Sequence, residues 1–256
     1  GNAAGTANTS GTTNSFFGNA AGYANTTGNE NSFFGESSGI SNTTGTYNSF
    51  FGRNAGRANT TGGSNSFFGR YAGYSNTTAN HNSFFGYASG LDNTTGTSNA
   101  YFGTNSGRSG TTAINNSYFG RDAGFTNTIG SNNVAMGYYA LRVNISSWNT
   151  AVGSNAGAAN TTGQQNSFFG ESAGEANSTG TFNSFFGRNA GAANTTGSNN
   201  SFFGGGSGLT NTANSNSFFG YNSGRQNTTG SENSFFGVGS GQNSSIGDEN
   251  SYFGDA

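Results

Sequence analysis

The chain contains no cysteine, no proline and no lysine, and it has a single histidine. Without cysteine it can form neither disulfides nor thiolate metal sites, and the redox compartment stays undetermined. Charged residues make up 7% and the formal net charge is −2, so no basic surface for nucleic acid is expected. No apolar run approaches the roughly 18 residues that a membrane span needs. We therefore predict neither a nucleic-acid partner nor membrane insertion.

The remaining composition fits no common class of chain. Hydrophobic residues are 30%, which is low for a globular domain, yet Gly numbers 46 and Phe numbers 25. Disordered chains combine high net charge with few aromatics, and this chain has neither property. The glycines also lack the every-third-residue spacing of collagen. These exclusions leave a repeat architecture as the main candidate.

A five-residue block, Asn-Ser-Phe-Phe-Gly, recurs along the whole chain. With near-matches it starts at fifteen asparagines, from Asn14 to Asn250, and twelve of the fourteen intervals are 17 residues while two are 16. A fixed short period is the signature of stacked structural repeats. We number each repeat from its block asparagine, position 0, to position 16. The repeat then reads N-S-F-F-G-x-x-A/S-G-x-x-N-T-T-G-x-x.

Glycines at positions 4, 8 and 14 mark places where the backbone turns or takes a positive φ. The segments between them are too short for helices, and their Asn, Thr, Ser and Phe favour strands and turns. The sequence therefore predicts an all-β parallel β-solenoid (β-roll) of about 15 coils with a 17-residue repeat. We expect one repeat domain over 1–256 and, because both ends fall in phase with the repeat, a segment of a longer fibre. The turn glycines are exemplified by Gly18, Gly35, Gly52 and Gly69.

All charged residues fall at positions 5, 6, 9, 10, 15 or 16. We expect these six positions to be solvated corners and the remainder to be packed or hydrogen-bonded in ladders. Like positions stack in consecutive coils, which places Glu36 beside Arg53 and Glu171 beside Arg188. Such exposed pairs contribute about 0–1 kcal/mol.

The doubled phenylalanine predicts association with further copies of the chain. Adjacent strand residues face opposite sides, so one Phe row should fill the solenoid and the other should face outward. An outward aromatic row exceeds the apolar patch that a soluble monomer usually exposes. We expect that row to be buried in an intertwined or side-by-side homo-oligomer; the alternative is a turn that directs both rings inward. The core and interface residues are exemplified by Phe16, Phe17, Phe33, Phe34, Phe50, Phe51, Phe67, Phe68, Phe168, Phe169, Phe185 and Phe186.

The coils over 133–165 are variants. Asn133-Val134-Ala135-Met136-Gly137 and Asn149-Thr150-Ala151-Val152-Gly153 lack aromatics, and one residue is deleted between them. The large side chains from Tyr138 to Trp148 are expected to refill the lost volume. The region is either a kink or change of diameter, or a neutral variant repeat, which we favour.

These two variant blocks, each followed by a small-residue turn, resemble the repeats of trimeric autotransporter adhesin heads. They are also similar to repeats of some phage tail-fibre and bacterial surface proteins. The resemblance implies a left-handed β-roll, three parallel chains, and a place at a cell or virion surface. The 17-residue period and the doubled Phe differ from the shorter, aliphatic adhesin-head repeat.

Two asparagine rows, at positions 0 and 11, suggest amide ladders along the solenoid axis. The ladder residues are exemplified by Asn14, Asn31, Asn48, Asn25, Asn42 and Asn59. Position 11 also matches N-x-S/T, which makes Asn25, Asn42, Asn59, Asn76 and Asn93 candidate glycan acceptors in a secreted eukaryotic protein. Acceptors at a spacing of about 4.8 Å would collide, which favours the ladder. The regular threonines suggest ice-binding solenoids as a weaker alternative, because adjacent Thr26 and Thr27 should face opposite ways.

Nothing in the sequence indicates catalysis or a cofactor. His81 lies at a variable position, and Asp248-Glu249 is the only adjacent carboxylate pair. Gly204-Gly205-Gly206 precedes neither a helix nor a lysine, as a phosphate loop requires. We expect a non-enzymatic structural shaft of an extracellular, cell-surface or virion fibre. The alternative is an adhesin or receptor-binding fibre that contacts glycans or a host surface through corner tyrosines, namely Tyr23, Tyr71, Tyr74, Tyr87 and Tyr221.

Overall fold

Residues 1–255, described by a computed structural model, contain fifteen short strands and no helix. Each strand has three residues and occupies positions 1–3 of its coil, directly after the block asparagine. The predicted all-β parallel β-solenoid with a repeat of about 17 residues is confirmed. The strands are β1 (Ser15–Phe17), β2 (Ser32–Phe34), β3 (Ser49–Phe51), β4 (Ser66–Phe68), β5 (Ser83–Phe85), β6 (Ala100–Phe102), β7 (Ser117–Phe119), β8 (Val134–Met136), β9 (Thr150–Val152), β10 (Ser167–Phe169), β11 (Ser184–Phe186), β12 (Ser201–Phe203), β13 (Ser217–Phe219), β14 (Ser234–Phe236) and β15 (Ser251–Phe253).

The coils group into two compact units, Gly1–Asn132 and Asn133–Ala256. In the first unit β1 to β7 pair in chain order, parallel and in register, as in the pairing of Phe33 with Phe50. In the second unit β8 to β15 do the same, and Ala135 pairs with Ala151 across a 16-residue coil. The missing residue is therefore absorbed outside the strands. The single domain over 1–256 stays a prediction.

The backbone takes left-handed conformations at four positions of a regular coil. Glycine occupies two of them, with φ of 139° at Gly52 (position 4) and 58° at Gly56 (position 8). The other two carry ordinary residues, such as Asn54 with φ of 60° and Tyr47 with φ of 60°. Such conformations cost energy for residues other than glycine, so the surrounding ladder must hold them in place.

The glycine at position 14 has a different role from the other two. It does not take a positive φ, and alanine stands at this position in Ala79 and Ala113. A Cβ at Gly28 would overlap Asn25 and the carbonyl of Gly45 in the next coil. The third glycine thus reflects close approach of neighbouring coils.

The core consists mainly of one aromatic ring and a small residue from each coil. The phenylalanine at position 2 is fully buried, as in Phe50 and Phe67, and so is the small residue at position 7, such as Ala55. A Cβ added to Gly56 would come within 2.5 Å of ring carbon Cδ2 of Phe50. Glycine at position 8 is therefore needed twice, for its φ and for room beneath the ring.

The variant coils refill their core with one side chain. Leu141 is fully buried and has a φ of 48°. It takes position 8, which is glycine in all the remaining coils. It compensates for the two small core residues Ala135 and Ala151. By contrast Tyr138 and Trp148 are 42% and 56% exposed. The expected refilling is thus correct for Leu141 and wrong for these exposed aromatics.

The charged residues lie at the corner positions, and all of them except one are at least partly exposed to solvent. Arg53 and Glu36 are exposed and form the expected ion pair of 3.3 Å. Asp122 at position 6 is buried, which corrects the expectation that all six variable positions are solvated. Its carboxylate accepts hydrogen bonds from Asn105 Nδ2 at 3.0 Å and from Arg121 Nε at 3.2 Å.

Candidate functional site: the ladders, the outer aromatic file and the coil corners

The asparagines at position 0 form a buried ladder. The backbone N–H of Asn48 donates to Oδ1 of Asn31 at 3.0 Å, and Nδ2 of Asn48 donates to the carbonyl of Gly62 at 2.8 Å. Equivalent bonds join Asn31 to Asn14 and, in the second unit, Asn166 to Asn149. Each side chain therefore satisfies a backbone donor of the following coil, as a buried amide requires.

The asparagines at position 11 form a second ladder. Nδ2 of Asn42 donates to Oδ1 of Asn25 at 2.8 Å and to the carbonyl of Gly45 at 3.1 Å. The Gly45 carbonyl also accepts from Asn31 Nδ2 at 2.8 Å. One carbonyl thus joins the two ladders, which links neighbouring coils through side chains as well as strands.

This burial bears on the candidate glycan acceptors. Asn25, Asn42, Asn59, Asn76 and Asn93 are all fully buried. In each, the Nδ2 atom that would carry a glycan donates two hydrogen bonds, as described for Asn42. Attachment to the folded solenoid is therefore incompatible with the ladder, which corrects this part of the sequence interpretation.

The two phenylalanine rows face opposite sides of the strand, as predicted. The inner row is buried, whereas the outer row is partly exposed. Neighbouring outer rings stack in parallel; the centroids of Phe51 and Phe68 are 4.6 Å apart and their planes differ by 6°. We call this row, in the first unit Phe17, Phe34, Phe51, Phe68, Phe85, Phe102 and Phe119, the outer aromatic file. Because stacked rings cover each other's faces, the file presents mainly ring edges to its surroundings.

The threonines at positions 12 and 13 differ in role. Thr43 Oγ1 donates to the carbonyl of Thr60 in the next coil at 3.1 Å and is half-buried. Thr44 is exposed. Of these two threonine rows, only the one at position 13 therefore presents its side chains freely to solvent.

Three of the corner tyrosines meet in one cluster in the first unit. The ring centroid of Tyr71 is 5.7 Å from that of Tyr74 and 6.1 Å from that of Tyr87, both edge to face. Arg57 lies over Tyr74 and donates to its hydroxyl at 3.0 Å. Arg70 lies 4.7 Å from the centroid of Tyr71 and donates to its hydroxyl at 3.1 Å. We call these five residues the tyrosine–arginine cluster.

The sequence indicated corner tyrosines but not that they converge. The convergence follows from register, because positions 5, 6 and 9 of consecutive coils stack side by side. The hydrogen bond from Arg70 lowers the pKa of Tyr71 and, in turn, raises the pKa of Arg70. Tyr23 lies three coils before Tyr74, and Tyr221 belongs to the second unit.

The other residues considered for chemistry do not form a site among the described residues. His81 is exposed at a corner. Within 1–255 no group of three or more His, Cys, Asp or Glu side chains is arranged to hold a metal ion. Nor does any described segment form a helix of the length and apolarity that crossing a membrane requires. A scan against protein-family models and searches of curated proteins and of solved structures give no match to this chain.

Proposed function

We propose that the chain is a structural component of an extracellular or virion fibre, where it acts as a stiff β-solenoid shaft. The observation that carries the proposal is the position-0 asparagine ladder, buried and bonded from coil to coil within each unit, with the position-11 ladder beside it in most coils. Together with in-register strands it bonds consecutive coils within each unit through both backbone and side chains. A load along the axis is then shared over many bonds. The resemblance to trimeric adhesin heads and phage tail fibres supports the same role.

The outer aromatic file supports self-association as part of this function. Seven consecutive aromatic rings line one side of the first unit. Phe17 and Phe119 at its two ends are 61% and 37% exposed, and the five rings between them are half-buried. Ring edges offer apolar contact but no free face for stacking on a sugar. A second and third copy of the chain, packed by their own files, would cover this strip. We propose a homo-oligomer, with the trimer favoured by the resemblance.

Native mass measurement tests this proposal. We expect the chain to have the mass of an oligomer, and its averaged electron-microscopic image to be elongated. The triple variant Phe34→Thr, Phe51→Thr, Phe68→Thr should fall to the single-chain mass while keeping its β-sheet circular dichroism, since threonine is a good strand residue. The matched control Tyr23→Thr, Tyr47→Thr, Tyr87→Thr removes three exposed corner aromatics and should leave the mass unchanged. A wild-type chain of single mass would overturn the oligomer.

A second candidate function, binding of surface glycans as an adhesin or receptor-binding fibre, is favoured by the tyrosine–arginine cluster. Three tyrosines and two arginines within one corner surface form a denser group than a spacer needs. Glycan-array screening tests it. Binding that is lost in Tyr74→Ala but kept in Tyr23→Ala, at the same position of another coil, would support this function. An array without any bound glycan would contradict it.

A further inference from the structure

The second unit contains a recess where one coil lacks its corner side chains. Gly205 and Gly206 occupy positions 5 and 6, while the flanking coils carry Arg188 and Asn189 on one side and Tyr221 and Asn222 on the other. Coils are stacked at about 4.8 Å, so omitting one pair of side chains separates the flanking pairs by roughly 9–10 Å. The Tyr221 ring and the Asn222 amide lean over the two glycines, and Asn222 Oδ1 lies 2.5 Å from where a Cβ on Gly206 would stand. The recess that remains beside them is open to a planar or ring-shaped ligand.

The recess is a loss of side chains and not a distortion of the backbone. Gly206 N–H donates to the Arg188 carbonyl at 2.9 Å, and Asn222 N–H donates to the Gly205 carbonyl at 3.0 Å. Both bonds belong to the regular coil-to-coil pattern, in which Asn54 N–H donates to the Glu36 carbonyl. The floor is therefore rigid and preformed, which lowers the ordering cost of binding.

The rim of the recess combines an aromatic ring with two cations. Tyr221 is 62% exposed, and its ring Cδ2 lies 3.4 Å from where a Cβ on Gly205 would stand. Arg188 uses Nε for an ion pair of 3.2 Å with Glu171, which engages one side of its guanidinium. Arg225 reaches the recess from position 9 and has no ion pair among the described residues. Arg188, Arg225 and Glu171 together carry a net charge of +1, which matches a ligand with one anionic group.

We propose that this recess binds an acidic saccharide, with its carboxylate on Arg225 and Arg188 and its ring against Tyr221. Guanidinium groups match a carboxylate in geometry and charge. The side-chain amides of Asn189 and Asn222, which both donate and accept, suit sugar hydroxyls. The proposal rests on the second candidate function, glycan binding, and assigns it a ligand class and a site outside the tyrosine–arginine cluster.

Isothermal titration of the full chain tests the assignment, with hexagalacturonate as the acidic probe and maltohexaose as a neutral probe of equal length. We expect binding of hexagalacturonate only. Arg225→Gln should weaken it at least about tenfold, because hydrogen bonds to charged groups are worth about that factor. Tyr221→Leu should weaken it by roughly the same factor, because the sugar ring loses the aromatic surface on which it packs. Gly205→Val should abolish it by filling the recess. Valine is compatible with the fold at this position, because Val238 occupies position 5 two coils later, in the coil that contains β14.

Control variants distinguish failure of the recess as the binding site from failure of glycan binding altogether. Arg108→Gln removes an arginine at the same position 9 in the first unit and should leave hexagalacturonate binding unchanged. Binding that is lost in Tyr74→Ala but kept in Gly205→Val would overturn the recess while leaving glycan binding standing. Binding that survives Tyr221→Leu but disappears with moderate salt would show attraction of charge alone and would also overturn it. Absence of any binding, with both probes and on the glycan array, would overturn the binding function itself.

Discussion

The side-chain amide of Asn127 donates a hydrogen bond of 2.7 Å to the hydroxyl of Tyr118. In most other coils of this row the amide donates to the asparagine of the preceding coil, as Asn93 does to Asn76 at 2.8 Å. The preceding coil here has Gly110 at position 11, so no side-chain acceptor exists. The tyrosine hydroxyl takes the place of the missing amide oxygen, and the exchange of Asn for Gly is coupled to the exchange of Phe for Tyr in the core.

The coupling is incomplete one coil earlier. The hydroxyl of Tyr101 is buried beside Gly110 and makes no hydrogen bond within the described residues, and Asn93 Oδ1 also lacks a partner. We therefore predict opposite outcomes for the same substitution. Tyr118→Phe should destabilise the first unit by about 1–2 kcal/mol, because it removes the acceptor of a buried amide. Tyr101→Phe should be neutral or stabilising. Chemical denaturation of both variants measures the difference, and equal losses would contradict this account.

Burial and the neighbouring Tyr118 raise the pKa of Tyr101 well above its ordinary value of 10.0. In the unfolded chain this tyrosine ionises near its ordinary value, whereas in the folded chain it stays protonated. The unfolded state therefore binds fewer protons above about pH 10, and the free energy of unfolding falls as pH rises there. We predict a shallower fall in Tyr101→Phe, measured by denaturant titration at several pH values between 9 and 11. Identical slopes in wild type and variant would contradict it.

The parts of the structure that were predictable from the sequence are those that follow from the period. The 17-residue repeat predicts stacking, and alternation along Ser49-Phe50-Phe51 predicts one buried and one outward ring. The left-handed residues at positions 6 and 16 were not predictable, because Asn54 and Tyr47 are ordinary residues whose φ is imposed by ladder bonds to neighbouring coils. The only signal was the frequent asparagine at position 6, such as Asn54.

The candidate sites were predictable only in part. Corner tyrosines were recognisable by type, but their convergence depends on which coils carry them. In the sequence Gly205 and Gly206 are visible only as part of a glycine string, since a gap in a row of corner side chains arises only when the coils are stacked. The burial of Asp122 could not be predicted from its corner position, because it depends on a hydrogen bond from Asn105 in the preceding coil.

The glycines at positions 4 and 14 should differ in tolerance. Gly52 has φ of 139°, and a Cβ there would lie 2.5 Å from the carbonyl oxygen of Gly69. Gly52→Ala should therefore cost about 1–3 kcal/mol or more, through strain and overlap. Gly62→Ala should cost clearly less, because Ala79 already stands at the equivalent position of the next coil. Thermal melting of the two variants compares them directly. Equal melting temperatures would show that position 4 has no special need for glycine.

Leu141 offers the sharpest test of how the variant coils keep their core filled. Its Cδ2 lies 3.0 Å from where a Cβ on Gly157 would stand. In a regular coil an inner phenylalanine in place of Ala151 would occupy that space. Leu141→Ala should cost about 2–5 kcal/mol through the cavity it leaves. Ala151→Phe alone should also destabilise, since leucine already fills the space. Combined with Leu141→Gly it should recover much of that loss, because the pair recreates the regular Phe and Gly of other coils. A double-mutant cycle by chemical denaturation measures the coupling, and simple additivity of the two changes would mean that the leucine does not replace the missing ring.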